Sequence, residues 1–300
     1  MTYRILYNPA SGNGRGLTEA EKLRELYKGE KLDYVDILKV GDDAAFLRTF
    51  DPDDVIVLCG GDGTLNHFAN DVDIDEVPNE VLFYGTGSGN DFMTDIGKKK
   101  GCDPFPIKDY LRDLPEVTVN GMTKKFINGI GYGIDGFCCE EGDRIRAKSD
   151  KKVNYTAIAL KGLVWKFHPS TATVTIGENG ETKTYHKVWL APTMQGRYFG
   201  GGMMATPGQD RLDPEHYVTN MVGHNLTRVE VVSFFPMIFS GKHVKRTGFV
   251  AITKCHDVHV GFDRPCALQI DGETVLNVTE YSVATVKSKN HSKNKVLETV

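Results

Sequence analysis

Gly60-Gly61-Asp62-Gly63-Thr64-Leu65-Asn66 decides the reading of this 300-residue chain. It follows the unbroken apolar run Val55-Ile56-Val57-Leu58-Cys59 and opens a segment, residues 64–70, that reads as helix. A glycine turn from a buried strand into a helix lets the backbone take positive φ and lets an anion approach its N–H groups, where the helix dipole also favours negative charge. Two more clusters follow strands in the same way. Asn8-Pro9-Ala10-Ser11-Gly12-Asn13-Gly14-Arg15-Gly16 comes after Tyr3–Tyr7, and Gly85-Thr86-Gly87-Ser88-Gly89-Asn90-Asp91-Phe92 comes after residues 81–84.

With a further strand over residues 34–38 and helices over 17–27 and 44–50, the first 115 residues alternate in type. That alternation predicts a parallel sheet covered on both faces, a Rossmann-like α/β domain. The three glycine loops then share the carboxyl edge where open α/β sheets bind ligands, and a nucleotide polyphosphate is the natural occupant. No P-loop is present, and no Gly-x-Gly-x-x-Gly follows the first strand.

After Pro115 the texture changes. Strands are expected over residues 117–119, 124–128, 172–176, 184–191, 217–222, 248–253, 258–260, 267–270 and 280–286. Turns fall at Asn120-Gly121, Glu178-Asn179-Gly180 and Asp263-Arg264-Pro265, and helices near residues 154–165 and 228–239. This predicts an antiparallel β-sandwich domain over 116–286, with residues 1–115 as the α/β domain. The basic tail 287–300 reads as solvated, unless Val296-Leu297 returns to the first domain.

Composition narrows the class. The chain is 40% hydrophobic with net charge −4, which argues against disorder and gives no reason to expect nucleic acid. Its 32 glycines form no collagen repeat. No apolar run reaches the ~18 residues of a membrane span. The N-terminus lacks the apolar core of a signal peptide, and the six scattered cysteines read as reduced thiols. A cytoplasmic protein is expected.

The motifs resemble the diacylglycerol kinase catalytic family, within the superfamily of lipid kinases, NAD kinases and phosphofructokinases. Gly60 to Asn66 is similar to its signature, Asn8 to Gly12 to its N-terminal element, and Gly87-Ser88-Gly89-Asn90-Asp91-Phe92 to its third loop. Arg197-Tyr198-Phe199-Gly200-Gly201-Gly202, Gly241-Lys242-His243 and Asp271-Gly272-Glu273 fall in family order. The resemblance implies catalysis in a cleft between the two domains and ATP contacts at Asn8, Pro9, Ala10, Ser11, Gly12, Gly60, Gly61, Asp62, Gly63, Thr64, Leu65, Asn66 and Ser88.

Beside phosphate, the Asp62 carboxylate is repulsive unless a cation lies between, so a role through hydrated Mg²⁺ is weighed against a turn-stabilising Asp. Asp271 and Glu273 match the family's Asp-Gly-Glu. On an extended chain their spacing puts both side chains on one side, and the family favours Glu273 as proton acceptor with Asp271 positioning it. A hairpin turn with two solvated acids is the alternative. Asp210-Arg211-Leu212-Asp213-Pro214-Glu215 resembles the family's structural Mg²⁺ stretch, whose ligands carry over as the Asp213 side chain and the carbonyls of Asp210 and Glu215. Pro214 stands where the family usually has glycine, and a plain acidic turn remains open. His67 stands where an acid is common, either as a helix residue or as a modifier of phosphate or metal contacts. The glycines of residues 128–136 read as a strand and turn, with Asn128 and Asp135 facing the cleft, or as an interdomain hinge.

The expected function is an ATP- and Mg²⁺-dependent lipid kinase phosphorylating a lipid hydroxyl, with diacylglycerol as the first acceptor. It would associate transiently with the inner membrane surface, and a homodimer is left open. The apolar stretch of residues 229–239 is either core or a surface for acyl chains or a bilayer. The rivals are an NAD kinase-like or other small-molecule kinase and a non-catalytic nucleotide-binding regulator.

Overall fold

Tyr3–Tyr7 (β1), Leu32–Asp36 (β2), Val55–Gly60 (β3), Glu80–Gly85 (β4) and Phe105–Pro106 (β5) build the first sheet of the computed structural model, which describes residues 1–87, 89–148, 153–177 and 180–289. The strand order is β2-β1-β3-β4-β5. The first four strands are parallel and β5 is antiparallel. All six residues of β3 are buried, which is why its sequence is unbroken Val-Ile-Val-Leu-Cys-Gly rather than alternating. Helices Gly16–Glu21 (α1), Leu23–Leu26 (α2), Asp43–Leu47 (α3), Asp62–Asp71 (α4), Asp91–Asp95 (α5) and Lys108–Leu111 (α6) connect or flank the strands. Ile5, Val55, Val57 and Cys59 pack against Ala20 and Leu23 of α1 and α2.

The chain divides by contacts into Met1–Arg112 and Asp113–Val300. The second unit is built of Glu116–Val119 (β6), Met122–Lys125 (β7), Gly129–Tyr132 (β8), Ile134–Arg146 (α7), Tyr155–Lys161 (α8), Ser170–Ile176 (β9), Thr182–Val188 (β10), Thr193–Met194 (β11), Tyr198–Phe199 (β12), Met203–Met204 (β13), Val218–Gly223 (β14), Arg228–Phe239 (α9), Val250–Cys255 (β15), Asp257–Ile270 (β16) and Glu273–Ala284 (β17). One antiparallel sheet runs β15-β14-β11-β8-β16-β17-β6-β7, and β9 and β10 branch from β16. The sheet folds onto itself as a sandwich. Val174 and Val260 share its core with Ile130, Val222 and Leu268.

Three expectations change here. Asp263-Arg264-Pro265 is not a turn, because β16 runs through it and absorbs Pro265 at a register shift between Gly261 and Cys266. A bulge is where a residue without an N–H costs no ladder bond. The strand expected over residues 124–128 stops at Lys125, since the N–H groups of Ile127 and Asn128 turn to the Asp271 carboxylate instead. Residues 129–136 form β8 and the first turn of α7 inside the second unit, not a hinge, and α7 is a helix the sequence reading lacked.

Ser88, the turn residues Glu178 and Asn179, and the tail from residue 290, with Val296-Leu297, lie outside the described residues. The tail's start is tied down, with Lys287 3.3 Å from Glu215 and Lys289 2.5 Å from Glu116. All six cysteines are free thiols. Among the described residues no helix is long and apolar enough to cross a membrane.

Candidate functional site

The three glycine loops meet at the carboxyl edge of β1, β3 and β4. Thr86 and Gly87 both donate their N–H to the Gly60 carbonyl, at 2.8 and 3.0 Å. Asn8 Nδ2 donates to Thr64 Oγ1 at 2.9 Å, and the Ser11 and Thr86 hydroxyls share a hydrogen bond of 2.9 Å. A Cβ on Gly87 would stand 2.6 Å from Gly61 Cα, so loops two and three touch backbone to backbone. Gly12, Asn13 and Gly14 all have positive φ (59°, 62° and 80°), which breaks helix formation at the end of loop one. A Cβ on Gly63 or Gly89, by contrast, would meet nothing within 4 Å. The glycines therefore divide into a packed set that joins the loops and an open set that an incoming anion can approach.

Asp62 is the first residue of α4, where a carboxylate suits the helix dipole, and its Oδ2 accepts the Asp91 N–H at 2.8 Å. It thus ties loop two to the start of α5. Leu65 and Asn66, included in the expected ATP contacts, are 0% and 2% exposed and support the loop from the helix interior. Sequence reasoning missed Lys100, whose Nζ donates to the carbonyls of Thr86 (3.0 Å) and Gly87 (3.3 Å); the Lys98-Lys99-Lys100 run was the available signal.

It also missed a cavity of about 470 Å³ beside the loops, lined by Asn8 and Thr64, by residues 37, 38 and 40–43 and by His67 and Asp71. The cavity wall is acidic. Asp42 caps α3 by accepting the Ala45 N–H, and the Asp43 carboxyl is pushed up to about 6 by burial, then by Asp71 and Asp42, with His67 opposing. His67 is thus one wall of this cavity.

In the second unit, β16 and β17 are joined by the two-residue turn Asp271-Gly272, both with positive φ (47° and 94°). The expectation of an extended Asp-Gly-Glu is corrected accordingly, because a left-handed turn replaces simple alternation. The Asp271 carboxylate accepts the N–H groups of Ile127 (2.6 Å), Asn128 (2.8 Å) and Gly129 (3.0 Å). Glu273 opens β17, its side chain 42% exposed, and forms an ion pair with Lys124. The same 127–129 loop is held from the other side by Arg211, which donates to the Ile127 carbonyl (2.8 Å) and to Asn128 Oδ1 (3.0 Å). The hairpin acids and the 210–215 turn thus converge on one loop. Asp135, at the start of α7, is buried with its Oδ1 3.5 Å from where a Gly200 Cβ would sit, so it faces the glycine hairpin between β12 and β13.

The acidic turn is closed by its own groups. Asp210 Oδ1 accepts the Leu212 N–H and Asp213 Oδ1 accepts the Glu215 N–H, both at 3.0 Å. Asp213 Oδ2 lies 3.5 Å from the Lys254 ammonium. Among the described residues no group of three His, Cys, Asp or Glu side chains is placed to hold a metal. The metal set expected at this turn is the Asp213 carboxylate with the carbonyls of Asp210 and Glu215; in this structure that carboxylate is paired with Lys254.

The diacylglycerol kinase catalytic domain model matches residues 2–113, and the YegS C-terminal NAD kinase beta sandwich-like domain model matches residues 128–286. A diacylglycerol kinase of Mycobacterium tuberculosis (strain H37Rv) is 25% identical over 269 residues, covering 85% of this chain and 83% of its own. YtlR of Bacillus subtilis, provisionally named a lipid kinase, is 25% identical over 252 residues, 78% of each chain. A solved diacylglycerol kinase from Bacillus anthracis shares the fold, with a TM-score of 0.59 at 16% identity over 95% of this chain and 93% of that one. With both units matched in order, the chain belongs to the diacylglycerol kinase-like family of lipid kinases.

Proposed function

We propose that this chain is an ATP- and Mg²⁺-dependent lipid kinase that transfers the γ-phosphate to a lipid hydroxyl, with diacylglycerol as the first acceptor to test. The observation that carries the reading is the meeting of three glycine loops around the start of α4, with Gly63 and Gly89 open to an anion. The adjoining cavity has room for the nucleoside part of a nucleotide.

Phosphoryl transfer to an alcohol needs positioning, charge neutralisation and a proton acceptor. The acceptor oxygen forms a bond to the γ-phosphorus as the bond to the β–γ bridging oxygen breaks. ADP leaves, and the hydroxyl proton passes to a carboxylate and then to water. Glu273 fits the proton-acceptor role, being partly exposed and held by Lys124. Asp271 has committed its oxygens to three backbone N–H groups, which suits a positioning role. Mg²⁺, when bound, supplies neutralisation of the phosphate charge, and Asp62 at the loop edge is the residue that would hold it through water.

The test is transfer of labelled γ-phosphate from ATP to a panel of lipids with and without Mg²⁺, using the wild type, Asp62→Ala and Glu273→Ala. Labelled lipid from the wild type alone is the expected outcome. Wild-type turnover in both variants would sink the site assignment. A labelled nucleotide in place of labelled lipid would move the chain to the small-molecule kinases, and nucleotide binding with no turnover would make it a regulator.

A further inference from the structure

The helix α9 is apolar on both of its faces. Val231, Phe234 and Ile238 are buried in the second unit's core. Val229, Val232, Pro236 and Phe239 recur at steps of three and four residues, so they form a second stripe. That stripe is open to solvent, with Val229 82% and Phe239 48% exposed. From Val231 to Phe239 the helix carries no charge at all. A surface helix ordinarily turns a polar face to water, so this one lacks its counterpart.

A neighbouring segment has the same property. The α8 helix and the turn that follows it, residues 162–166, leave Leu160 53% and Trp165 73% exposed. Arg228 joins the two elements, donating to the carbonyls of Leu163 (3.0 Å) and Phe167 (2.9 Å), so Trp165 and Val229 lie at the same end of the pair.

The charges around this surface that are left without an acidic partner in the same elements are lysines. Lys161 ends α8, and Lys242 and Lys245 follow α9 directly through Gly241; all three are exposed. Lys166 is balanced by Glu141 at 3.6 Å, and Glu230 is occupied in the capping box with Thr227. In a chain of net charge −4, an apolar stripe with a lysine rim is a local exception. Exposed apolar side chains flanked by lysine match the interfacial layer of an anionic bilayer, where rings and aliphatic groups enter the acyl boundary and ammonium groups meet phosphate.

We infer that the outer face of α9, together with Leu160 and Trp165, is the surface by which this protein docks on anionic membranes. The inference deepens the lipid-kinase reading by saying where the bilayer meets the chain. It rests on that reading only for its purpose, because docking is measured without turnover.

Trp165 supplies the probe, since the chain's other tryptophan, Trp189, is 1% exposed. Vesicles of phosphatidylglycerol in phosphatidylcholine are expected to shift Trp165 emission to the blue and to co-sediment the protein; phosphatidylcholine alone is not. Lys242→Gln with Lys245→Gln should weaken vesicle binding about 25-fold, roughly fivefold for each charge removed near the surface. Val229→Asp with Phe239→Asp should abolish it, while turnover of detergent-dispersed lipid persists in both double variants.

Wild-type protein that ignores anionic vesicles, or double variants that bind them normally, would overturn the inference. So would a wild-type dimer that Val229→Asp with Phe239→Asp converts to monomer, since the face would then belong to a second copy. Vesicle binding without phosphorylation of any lipid sinks the kinase reading and leaves the docking face. Phosphorylation in detergent without vesicle binding does the reverse.

Discussion

Replacing Asp271 separates anchoring from catalysis. Its carboxylate accepts three backbone N–H groups at 2.6, 2.8 and 3.0 Å. A hydrogen bond to a charged partner is worth about 1.5–3 kcal/mol. Three would sum to more than 4 kcal/mol, but the loop is only partly buried and water recovers some of the donors, so about 3–4 kcal/mol is expected to be lost in Asp271→Ala. Alanine at φ 47° adds about 1 kcal/mol, because its Cβ crowds the following carbonyl. Asparagine tolerates that φ and keeps one acceptor oxygen. Oδ1 serves both Asn128 and Gly129, so Asp271→Asn loses chiefly the Ile127 bond, about 2 kcal/mol. At 2–4 °C per kcal/mol for a unit of this size, the melting temperature should fall by about 10–15 °C for alanine and about half that for asparagine. Thermal denaturation read by circular dichroism, alongside phosphoryl transfer well below the transition, measures both. Asparagine should keep turnover within about tenfold, since a proton acceptor is worth 10²–10⁴ and Asp271 is not reckoned to be one. An alanine variant melting within about 2 °C of wild type would refute the anchor. An asparagine variant that is stable yet loses about a thousandfold in rate would transfer the acceptor role from Glu273 to Asp271.

Gly87→Ala should cost about 1–3 kcal/mol and weaken nucleotide binding in calorimetric titration, because its Cβ would press within 2.6 Å of Gly61 Cα. Gly63→Ala, with nothing within 4 Å, should leave stability nearly unchanged and affect binding alone; equal melting losses in both would contradict the division into packed and open glycines. The Asp43 carboxyl titrates near 6 in the fold against 3.8 without it, so the folded state binds the extra proton in that window. Stability from this group therefore falls as pH rises from about 4 to 6 and is flat above, and Asp43→Asn should remove that slope from a series of melts across pH. Chelation of divalent ions by EDTA should leave the melting temperature of the unliganded protein unchanged, while Lys254→Met lowers stability by no more than about 1 kcal/mol, the worth of a partly exposed pair. A fall of several degrees on EDTA would restore a metal to the 210–215 turn.

Legibility in the sequence followed from how local each cause is. The β3 strand was readable because burial on both faces leaves a mark in five consecutive residues. The α9 helix was legible near residues 228–239 because its apolar run is continuous in the sequence; in the structure Thr227 and Glu230 close its start as a capping box. The α7 helix was invisible for the opposite reason. Gly136 and Gly142 depress helix propensity, and both are there for close approach: a Cβ would come within 1.9 Å of the Ala267 carbonyl and 2.7 Å of the Tyr155 ring. Neither partner is near in sequence. The Asp-Gly-Glu motif was legible as composition and misread as geometry, since alternation assumes extended backbone and the turn at Asp271-Gly272 abolishes it.

The glycine loops carry the same lesson a step further. Their residue types announce an anion site, yet what makes them one site is Gly12 against the Thr86 carbonyl and Gly61 against Gly87, contacts spanning 74 and 26 positions. A motif of this kind is a set of backbone surfaces cut to fit each other. Sequence records that a side chain was removed at each place. Only the fold distinguishes a glycine removed for a neighbouring strand from one removed for a ligand, and Gly63 and Gly89, which have no neighbour, are therefore the positions at which the kinase reading is most exposed to test.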